Sequence, residues 1–399
     1  MKFESSDTLK EKVISHLKKR ERIIEEEVKF VFSPYRISPI GAHIDHQGGP
    51  VLGMTIDAYT ILAYIPINES KVRIYSTNYP GVVEFNLDKI GVPSKKDWGR
   101  YPRGAATSLY NHKQIKNGFV GALTGSLPSA GLSSSASVGL AYLLAFAICN
   151  ELKLSPKEFV ELDRQIENDY LGLQNGILDQ STIVYGKRDH LVEIDTVNSK
   201  VLVLKKPDNS ENFQILIAYS GLTRELTDSG FNKRVEECKK ASMLLGMMSN
   251  IKSANQFSDI PADTYKKHIN KLPKELKKRA DHYFSEVERV KMGIKAWQRG
   301  DWNEFGDIMN ESNRSSLVNY ESGSDELKAL QEIISNTNGV YGSRFSGGGY
   351  GGCVVGFVCE KLGENEIETI KSRYLNLYPQ AKYTAAFFIA STDDGLRNL

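Results

Sequence analysis

The chain has 399 residues, of which 40% are hydrophobic and 25% are charged, a balance typical of folded globular proteins. This composition excludes wholesale disorder and repetitive fibres, and the length predicts two domains because one core rarely extends over so many residues. The 51 basic residues nearly balance the 49 acidic ones, giving a net charge of +2, so no overall field favours a nucleic acid partner.

The sequence also argues against a membrane partner. The first 27 residues are highly charged and lack the apolar segment of a signal peptide. The longest apolar run, residues 138–148, is far shorter than the roughly 20 residues that span a bilayer. We therefore expect a cytoplasmic protein that binds small molecules.

The predicted elements mix helices and strands along the whole chain. Ser155 is predicted to cap a helix, since Pro156 follows it and Glu158 stands three residues after the cap. A polar stretch around 195–212 predicts the domain boundary, and the Lys- and Arg-rich helices predicted within 261–340 should turn their basic faces to solvent. The predicted helices are 8–27, 133–151, 155–171 and one opening at 233, and the predicted strands are 28–32 (interrupted by Pro34 and Pro39), 59–65, 71–76 and 214–219.

The first of three glycine-rich segments reads S-P-Y-R-I-S-P-I-G-A-H-I-D-H-Q-G-G and combines Arg36, His43, Asp45 and His46 within a few residues. Dense polar groups beside glycines suit a hydroxyl-rich ligand, because the backbone approaches a ligand closely at glycine. A turn with capping side chains explains the same pattern equally well.

The second segment, P-S-A-G-L-S-S-S-A-S at 128–137, runs directly into an apolar helix. Free backbone N–H groups and the positive end of the helix dipole at such a terminus favour phosphate. Ser133, Ser134 and Ser135 add hydroxyl donors and oxygen ligands for Mg²⁺. A cluster of capping serines is the alternative, but three consecutive serines exceed what capping requires.

The third segment, S-R-F-S-G-G-G-Y-G-G-C at 343–353, contains G-x-G-x-x-G at Gly347, Gly349 and Gly352. A dinucleotide site requires that this pattern follow a strand and open a helix, whereas here a strand follows it. The segment therefore predicts a close approach of backbone to a ligand or to another loop. The sequence contains no P-loop of the form G-x-x-x-x-G-K-[ST].

Two acidic residues flank a fourth segment, E-N-D-Y-L-G-L-Q-N-G-I-L-D-Q. Glu167 comes near the end of the second predicted helix and Asp179 lies twelve residues later, beyond Gly172 and Gly176. Two such acids can serve different tasks, one on a metal and one as a base. Two surface carboxylates are the alternative, which the apolar neighbours disfavour.

Taken together and in this order, the four segments resemble the galactokinase branch of the GHMP small-molecule kinases. The resemblance covers nearly the whole chain. It implies an α+β protein with a ribosomal-S5-domain-2-like N-terminal domain, here 1–205, and a ferredoxin-like C-terminal domain, here 206–399, with the active site in the cleft between them. It also implies ATP as co-substrate, Mg²⁺ as cofactor and a monomer.

The resemblance carries residue roles onto matching positions. Asp179 is similar to the family's catalytic aspartate and Arg36 to its catalytic arginine. Glu167 resembles the metal-binding glutamate, and the metal-binding serine resembles Ser135 or Ser134. The sugar would be bound by Ala42, His43, Asp45, Gly176, Phe231 and Gly348, and ATP by Trp98, Gly131, Leu132, Ser133, Ser134, Ser135 and Ala136.

The chain departs from galactokinases in the sugar loop, which usually reads G-E-H-T-D-Y there and reads G-A-H-I-D-H here. Ala42 replaces a glutamate that contacts the C6 hydroxyl, and this alanine is shared with plant galacturonokinases. A carboxylate about 4 Å from that glutamate would cost roughly 4 kcal/mol at an effective dielectric constant near 20. Phe231 also replaces a tyrosine that contacts the sugar in galactokinases. The change indicates either a remodelled sugar pocket or a substitution without functional effect.

The expected reaction is therefore phosphorylation of D-galacturonate at its anomeric hydroxyl by ATP. The alternatives are a galactokinase, a kinase for another sugar or uronic acid, and a sugar sensor without catalysis. A positive group should meet the C6 carboxylate, and His43, His46, Arg100 and Arg103 are the candidates that the sequence offers.

Overall fold

The computed structural model describes residues 3–92, 97–126, 131–172, 175–221, 230–349 and 351–399, and the side chain of Phe231 lies outside that description. No helix in these ranges is both long and apolar enough to cross a membrane. The helices are α1 (Ser6–Lys18), α2 (Arg100–Lys113), α3 (Ser134–Cys149), α4 (Pro156–Gln165), α5 (Leu178–Tyr185), α6 (Phe231–Met247), α7 (Ala262–His268), α8 (Lys274–Arg299), α9 (Trp302–Ser315), α10 (Asp325–Ser335) and α11 (Glu364–Leu377).

The first sheet has eight strands within the described ranges. Six of them follow the order β12-β1-β2-β5-β3-β4, while β6 joins through β2 and β7 through β6. The pair β3–β5 is parallel, and the other strand pairs of this sheet in the described ranges are antiparallel. The strands are β1 (Lys29–Ile37), β2 (Val51–Pro66), β3 (Lys71–Ser76), β4 (Val82–Asn86), β5 (Phe119–Gly125), β6 (His190–Asp195), β7 (Lys200–Lys205) and β12 (Arg397–Asn398).

The second sheet is antiparallel and has four strands in the described part of the chain, in the order β11-β8-β10-β9. Counted from its own first strand, this order is 4-1-3-2, the ferredoxin-like arrangement with helices in the connections. The predicted α+β class and the two-domain GHMP architecture are confirmed. Its strands are β8 (Phe213–Tyr219), β9 (Val340–Phe345), β10 (Cys353–Cys359) and β11 (Ala386–Ala390).

Apolar side chains of both sheets share one buried cluster. Ile37, Leu52 and Met54 of the first sheet belong to the same cluster as Ile217 and Val355 of the second. The chain passes from the first sheet to the second between β7 and β8, close to the predicted boundary at 205/206. It returns to the first sheet at β12. The exact division of the domains stays a prediction.

The first predicted helix, 8–27, is too long. Helix α1 ends at Lys18, and its buried face consists of Leu9, Val13 and Leu17. Ile23 lies six residues after Leu17, so a continuing helix would turn it away from that face. The apolar face therefore ends where the helix ends.

The predicted interruption of the first strand at Pro34 is also wrong. Strand β1 continues through Pro34 to Ile37, and its register against β2 shifts between Pro34 and Tyr35. A bulge tolerates proline because the missing N–H is not needed for a regular ladder there. This continuation brings Arg36 onto the strand.

Two helices form the base of the site. Helix α3 is buried almost all round, as its apolar sequence predicts, and it begins immediately after Ser133. Helix α4 has the predicted capping box, in which Ser155 and Glu158 exchange hydrogen bonds. Helix α4 is shorter than predicted and passes into a π-helical turn over Ile166–Tyr170.

Candidate functional site

Arg36 connects three segments that are distant in the sequence. From β1, its Nε donates to Asp179 Oδ1 at 2.7 Å in the first turn of α5. Its Nη1 donates at 3.3 Å to the carbonyl of Gly131, and its backbone N–H donates to Leu132 at 3.2 Å. A guanidinium that is only 5% exposed thus fixes Asp179 against the serine-rich loop.

Ser133 also contacts Asp179. It has left-handed backbone angles, φ 55° and ψ 44°, and makes no side-chain cap to α3. Its hydroxyl donates instead to Asp179 Oδ2. A non-glycine residue held in this region is strained, and such strain is common at functional sites.

The serine-rich loop and the third glycine-rich segment meet at Gly131. Ser346 donates from Oγ to the Gly131 carbonyl at 2.6 Å. Gly131 has φ +96°, and a Cβ there would lie 2.8 Å from the Ser346 carbonyl, so this contact requires glycine. Gly348 lies in the turn that connects β9 to β10. The third segment thus forms a close approach to another loop, one of the two predicted alternatives.

Asp45 and Gly176 are brought together. A Cβ at Gly176 would lie 2.1 Å from Asp45 Oδ2, so the carboxylate occupies the space that a side chain would need. Burial and, next in size, the charge of Asp179 raise the pKa of Asp45 to about 6. Asp45 and Asp179 therefore lie close enough for their charges to interact. Gly176 contributes by leaving room for the Asp45 carboxylate.

Glu167 is almost fully buried in the π-helical turn after α4. Its Oε2 accepts hydrogen bonds from Asn175 at 3.1 Å and from Gln180 at 2.9 Å. Burial and then the charge of Asp179 raise its pKa to about 7, while contacts with Asn175 and Ser135 oppose the rise. The alternative of two surface carboxylates does not hold for Glu167.

The surroundings of Glu167 fit a divalent cation. Its buried Oε1 lacks a hydrogen bond of normal geometry, and the Ser135 hydroxyl contacts the same carboxylate. Hard cations such as Mg²⁺ prefer oxygen ligands of these two kinds. Of the two predicted serines, Ser135 makes this contact.

Trp98 lies just before α2, on the edge of the site. Its ring stacks on Tyr79 with centroids 6.1 Å apart and planes 17° from parallel, and its Nε1 donates to Pro80 at 3.3 Å. Tyr101, three residues later in α2, is in hydrogen-bond contact with Ser135. Tyr101 thus places one ring beside the serine-rich loop, and the stacked Trp98 and Tyr79 offer a flat surface of the kind that suits a purine base.

The sugar loop, 41–49, rests on helix α8. His282 donates from Nε2 to the Ala42 carbonyl at 3.0 Å, and the Gly41 N–H donates to Glu286 Oε1 at 2.7 Å. Tyr320 stacks on His43 with centroids 4.5 Å apart, and its hydroxyl lies 3.0 Å from His46 Nε2. The backbone around Ala42 is thereby fixed from behind.

Sequence reasoning missed these supporting residues. The basic stretch that ends at Arg279 was expected to face solvent, yet the Arg279 side chain is fully buried and binds Glu237 and Glu321. The spacing of positions 279, 282 and 286 places three polar side chains on one face of a helix. That face, opposite the exposed lysines, is the signal that could have indicated a buried polar surface.

The histidines of the sugar loop are uncharged near neutral pH. Burial lowers the pKa of His43 well below its usual value, with Arg344 the next cause, and burial lowers that of His46 to about 4. Arg103 binds the carbonyls of Glu84 and Ile90, on the side of β4. None of these three candidates therefore places a positive charge at the sugar loop.

Arg344, which sequence reasoning also missed, carries a positive charge that acts on His43. Its guanidinium is 1% exposed and donates to Ser312 at 2.6 Å, to Ser316 at 3.3 Å and to the Phe345 carbonyl at 3.1 Å. Burial lowers the pKa of Arg344 to about 10, which leaves it charged at neutral pH.

These groups define a class of site in which an arginine-held carboxylate faces a glycine- and serine-rich loop at a helix N-terminus, an arrangement suited to phosphoryl transfer. Comparisons with known families agree. Residues 20–66 match the galactokinase galactose-binding signature, residues 100–187 the GHMP kinases N terminal domain, and residues 294–378 the GHMP kinases C terminal region.

Among curated relatives, a galacturonokinase of Arabidopsis thaliana is 41% identical over 89% of this chain and 88% of its own length. A galactokinase of Clostridium acetobutylicum is 33% identical over 92% of this chain and 94% of its own. The crystal structure of Lactococcus lactis galactokinase complexed with galactose superposes with a TM-score of 0.88 and 29% identity, covering 98% of this chain and 100% of that one.

A mevalonate kinase of Methanococcus jannaschii shares the fold alone, with a TM-score of 0.65 and 20% identity over 91% of this chain and 98% of its own. The chain belongs to the galactokinase family of GHMP kinases. It is a sugar kinase.

Proposed function

We propose that this kinase transfers the γ-phosphate of ATP to the anomeric hydroxyl of D-galacturonate and releases D-galacturonate 1-phosphate and ADP. The observation that carries the proposal is Ala42, which stands in the sugar loop where galactokinases have a glutamate. Without that glutamate a C6 carboxylate meets no negative charge at this position. The buried Arg344 adds a positive charge behind the loop, and the nearby Glu286 carboxylate offsets part of it.

In the proposed reaction Asp179 accepts the proton of the sugar O1 hydroxyl. O1 then forms a bond to the γ-phosphorus as the bond to the β-bridging oxygen breaks and ADP leaves. Arg36, 2.7 Å from Asp179, orients this carboxylate and supplies positive charge near the transferring group. Asp45, His43, Gly176 and Gly348 line the sugar, and Phe231, whose side chain lies outside the described residues, is proposed to do so too.

ATP is proposed to bind along the start of α3. The amides of Gly131, Leu132, Ser133, Ser134, Ser135 and Ala136 would hold the phosphates, and Trp98 would contact the base. Glu167 and Ser135 would hold Mg²⁺. The cation would neutralise charge on the phosphates when bound.

A second candidate, galactokinase, is favoured by the galactokinases among the relatives and by the superposition on the galactose complex. A sensor without catalysis is disfavoured by the Arg36–Asp179 pair. We further propose a cytoplasmic monomer with its domain boundary at 205/206. Sedimentation of the purified protein tests the oligomeric state.

The deciding measurement is ADP release by the purified protein with ATP and Mg²⁺ on D-galacturonate, D-glucuronate and D-galactose. We expect galacturonate to be preferred by at least about a hundredfold in kcat/KM, equivalent to about 2.7 kcal/mol. A preference for galactose would replace the proposal with the galactokinase alternative, and no turnover of any sugar would favour the sensor.

Ala42→Glu isolates the charge, and Ala42→Gln is its matched neutral control. We expect Ala42→Glu to lower kcat/KM for galacturonate by up to almost a thousandfold, as about 4 kcal/mol of repulsion implies, and to lower that for galactose far less. Ala42→Gln should lower kcat/KM for galacturonate less than Ala42→Glu does. Equal losses for both variants would assign Ala42 a purely steric role.

A further inference from the structure

A second acid lies beneath Glu167, one turn earlier in α4. Asp163 is 0% exposed, and neither of its carboxyl oxygens has a hydrogen bond of normal geometry. Its carboxyl packs onto α3, where a Cβ at Gly139 would lie 2.0 Å from Oδ1. An ionised carboxylate without donors is very costly in such surroundings, so the group holds its proton. Burial, followed by the charges of Glu167 and Asp179, raises its pKa well above the usual range.

Gln180 lies between the two acids. It is also 0% exposed, and its Nε2 donates to Glu167 Oε2 at 2.9 Å. Its own carbonyl oxygen, Oε1, has no donor of normal geometry, although its side chain is in hydrogen-bond contact with Asp163. An uncharged carboxyl group has one donor and one acceptor, which are complementary to the carbonyl and the second hydrogen of an amide.

We propose that Asp163, in its uncharged form, is a positioning residue that pairs with the Gln180 amide and so holds that amide on Glu167. The pairing gives partners to three buried oxygens at once, Oδ1 and Oδ2 of Asp163 and Oε1 of Gln180. It also prevents the amide from turning its carbonyl towards the Glu167 carboxylate. Partners of this kind orient metal ligands, and their loss typically weakens metal binding by 10- to 100-fold.

The inference rests on the proposed role of Glu167 as a magnesium ligand. The experiment therefore measures Mn²⁺ binding by electron paramagnetic resonance, with the full chain and a non-hydrolysable ATP analogue, so that sugar identity does not enter. Asp163→Asn keeps a donor and an acceptor in the same shape, whereas Asp163→Leu has neither. Gln180→Leu and the double variant Asp163→Leu/Gln180→Leu complete the cycle.

We expect Asp163→Asn to bind Mn²⁺ within about threefold of the wild type and Asp163→Leu to bind it about tenfold more weakly. The double variant should lose no more Mn²⁺ affinity than Gln180→Leu alone, because both changes interrupt the same chain of contacts. Wild-type affinity in Asp163→Leu, equal losses in the asparagine and leucine variants, or additive losses in the double variant would overturn the inference.

Two further measurements keep the test decisive. Infrared absorption of a protonated carboxyl group at neutral pH should be stronger in the wild type than in Asp163→Asn by one group, which tests the uncharged state even if the leucine variant fails to fold. Glu167→Gln separates the two proposals. If Glu167→Gln binds Mn²⁺ as tightly as the wild type, Glu167 is not the metal ligand and the inference about Asp163 fails with that role. If Glu167→Gln binds Mn²⁺ weakly while Asp163→Leu binds it normally, only the inference about Asp163 is overturned.

Discussion

Both carboxylate oxygens of Asp179 accept hydrogen bonds from the protein. Arg36 donates to Oδ1, and Ser133 donates to Oδ2. An anomeric hydroxyl that gives its proton to Oδ2 would either share this oxygen with the Ser133 hydroxyl or replace it. The strained backbone of Ser133 lies in the loop proposed to bind the phosphates, so nucleotide binding and release of this oxygen are expected to be coupled.

Replacing Asp179 by asparagine removes the proposed base and preserves the size of the side chain. We expect Asp179→Asn to lower kcat by at least about a hundredfold, because general-base catalysis contributes that much or more. The dissociation constant for the sugar, measured by calorimetry, should change only a few-fold. Asp208→Asn, at an exposed aspartate that pairs with Lys205, is the control and should behave like the wild type. A near-normal kcat in Asp179→Asn would remove Asp179 from the base role.

Residue types and their order were enough to single out Arg36, Asp179 and Glu167, because each stands in a short motif with a chemical reason. The support of the sugar loop by His282, Glu286, Tyr320 and Arg344 was not predictable in the same way. These residues come from α8, the turn before α10 and β9, and they meet only through tertiary packing. In the sequence their polar side chains look like those of solvent-exposed positions, and only the structure shows that they are buried.

At the scale of the elements, helix α4 sets the position of Glu167, and its first turn is well defined. Ser155 accepts from the Glu158 N–H at 3.3 Å, and Glu158 Oε2 accepts from the Ser155 N–H at 2.7 Å. This start was predictable because Ser-Pro-x-Glu specifies a cap locally. The end was not, because the passage into a π-helical turn depends on packing around Glu167.

Removing this cap tests stability separately from chemistry. We expect Ser155→Ala to lower the free energy of unfolding by about 1 kcal/mol, the usual cost of losing an N-cap. Urea unfolding measures the loss, and kcat should remain unchanged. Glu158→Gln is the matched control, since glutamine also completes a capping box and should cost less. An equal or larger loss in Glu158→Gln would mean that the charge, rather than the paired hydrogen bonds, stabilises the helix start.

At the scale of the whole molecule, the site concentrates acids with raised pKa values. Burial raises the pKa of Glu167 to about 7 and that of Asp45 to about 6, above ordinary values near 4. His43 and His46 act in the opposite direction, but these two acids hold more protons in the folded protein than in the unfolded chain between about pH 4 and pH 7. Through these groups, the free energy of unfolding falls as the pH rises across that window.

Glu167→Gln removes one of these groups without changing its shape. In protein free of nucleotide and metal, we expect the variant to lose less stability than the wild type between pH 5 and pH 8. The difference in melting temperature between the two proteins should then grow with pH in favour of the variant. Parallel curves for the two proteins would show that Glu167 ionises as readily in the folded state as in the unfolded chain.

Strand β12 has a consequence for the time course of folding. Val31 of β1 pairs with Asn398, and Arg397 packs over the rings of Phe32 and Tyr59, so the first sheet joins segments from opposite ends of the sequence. Contacts of such separation form slowly. During synthesis, the edge of β1 stays open until the ribosome has made residues 397 and 398, and an open strand edge can recruit another chain. Newly made molecules should therefore depend on chaperones longest at this edge.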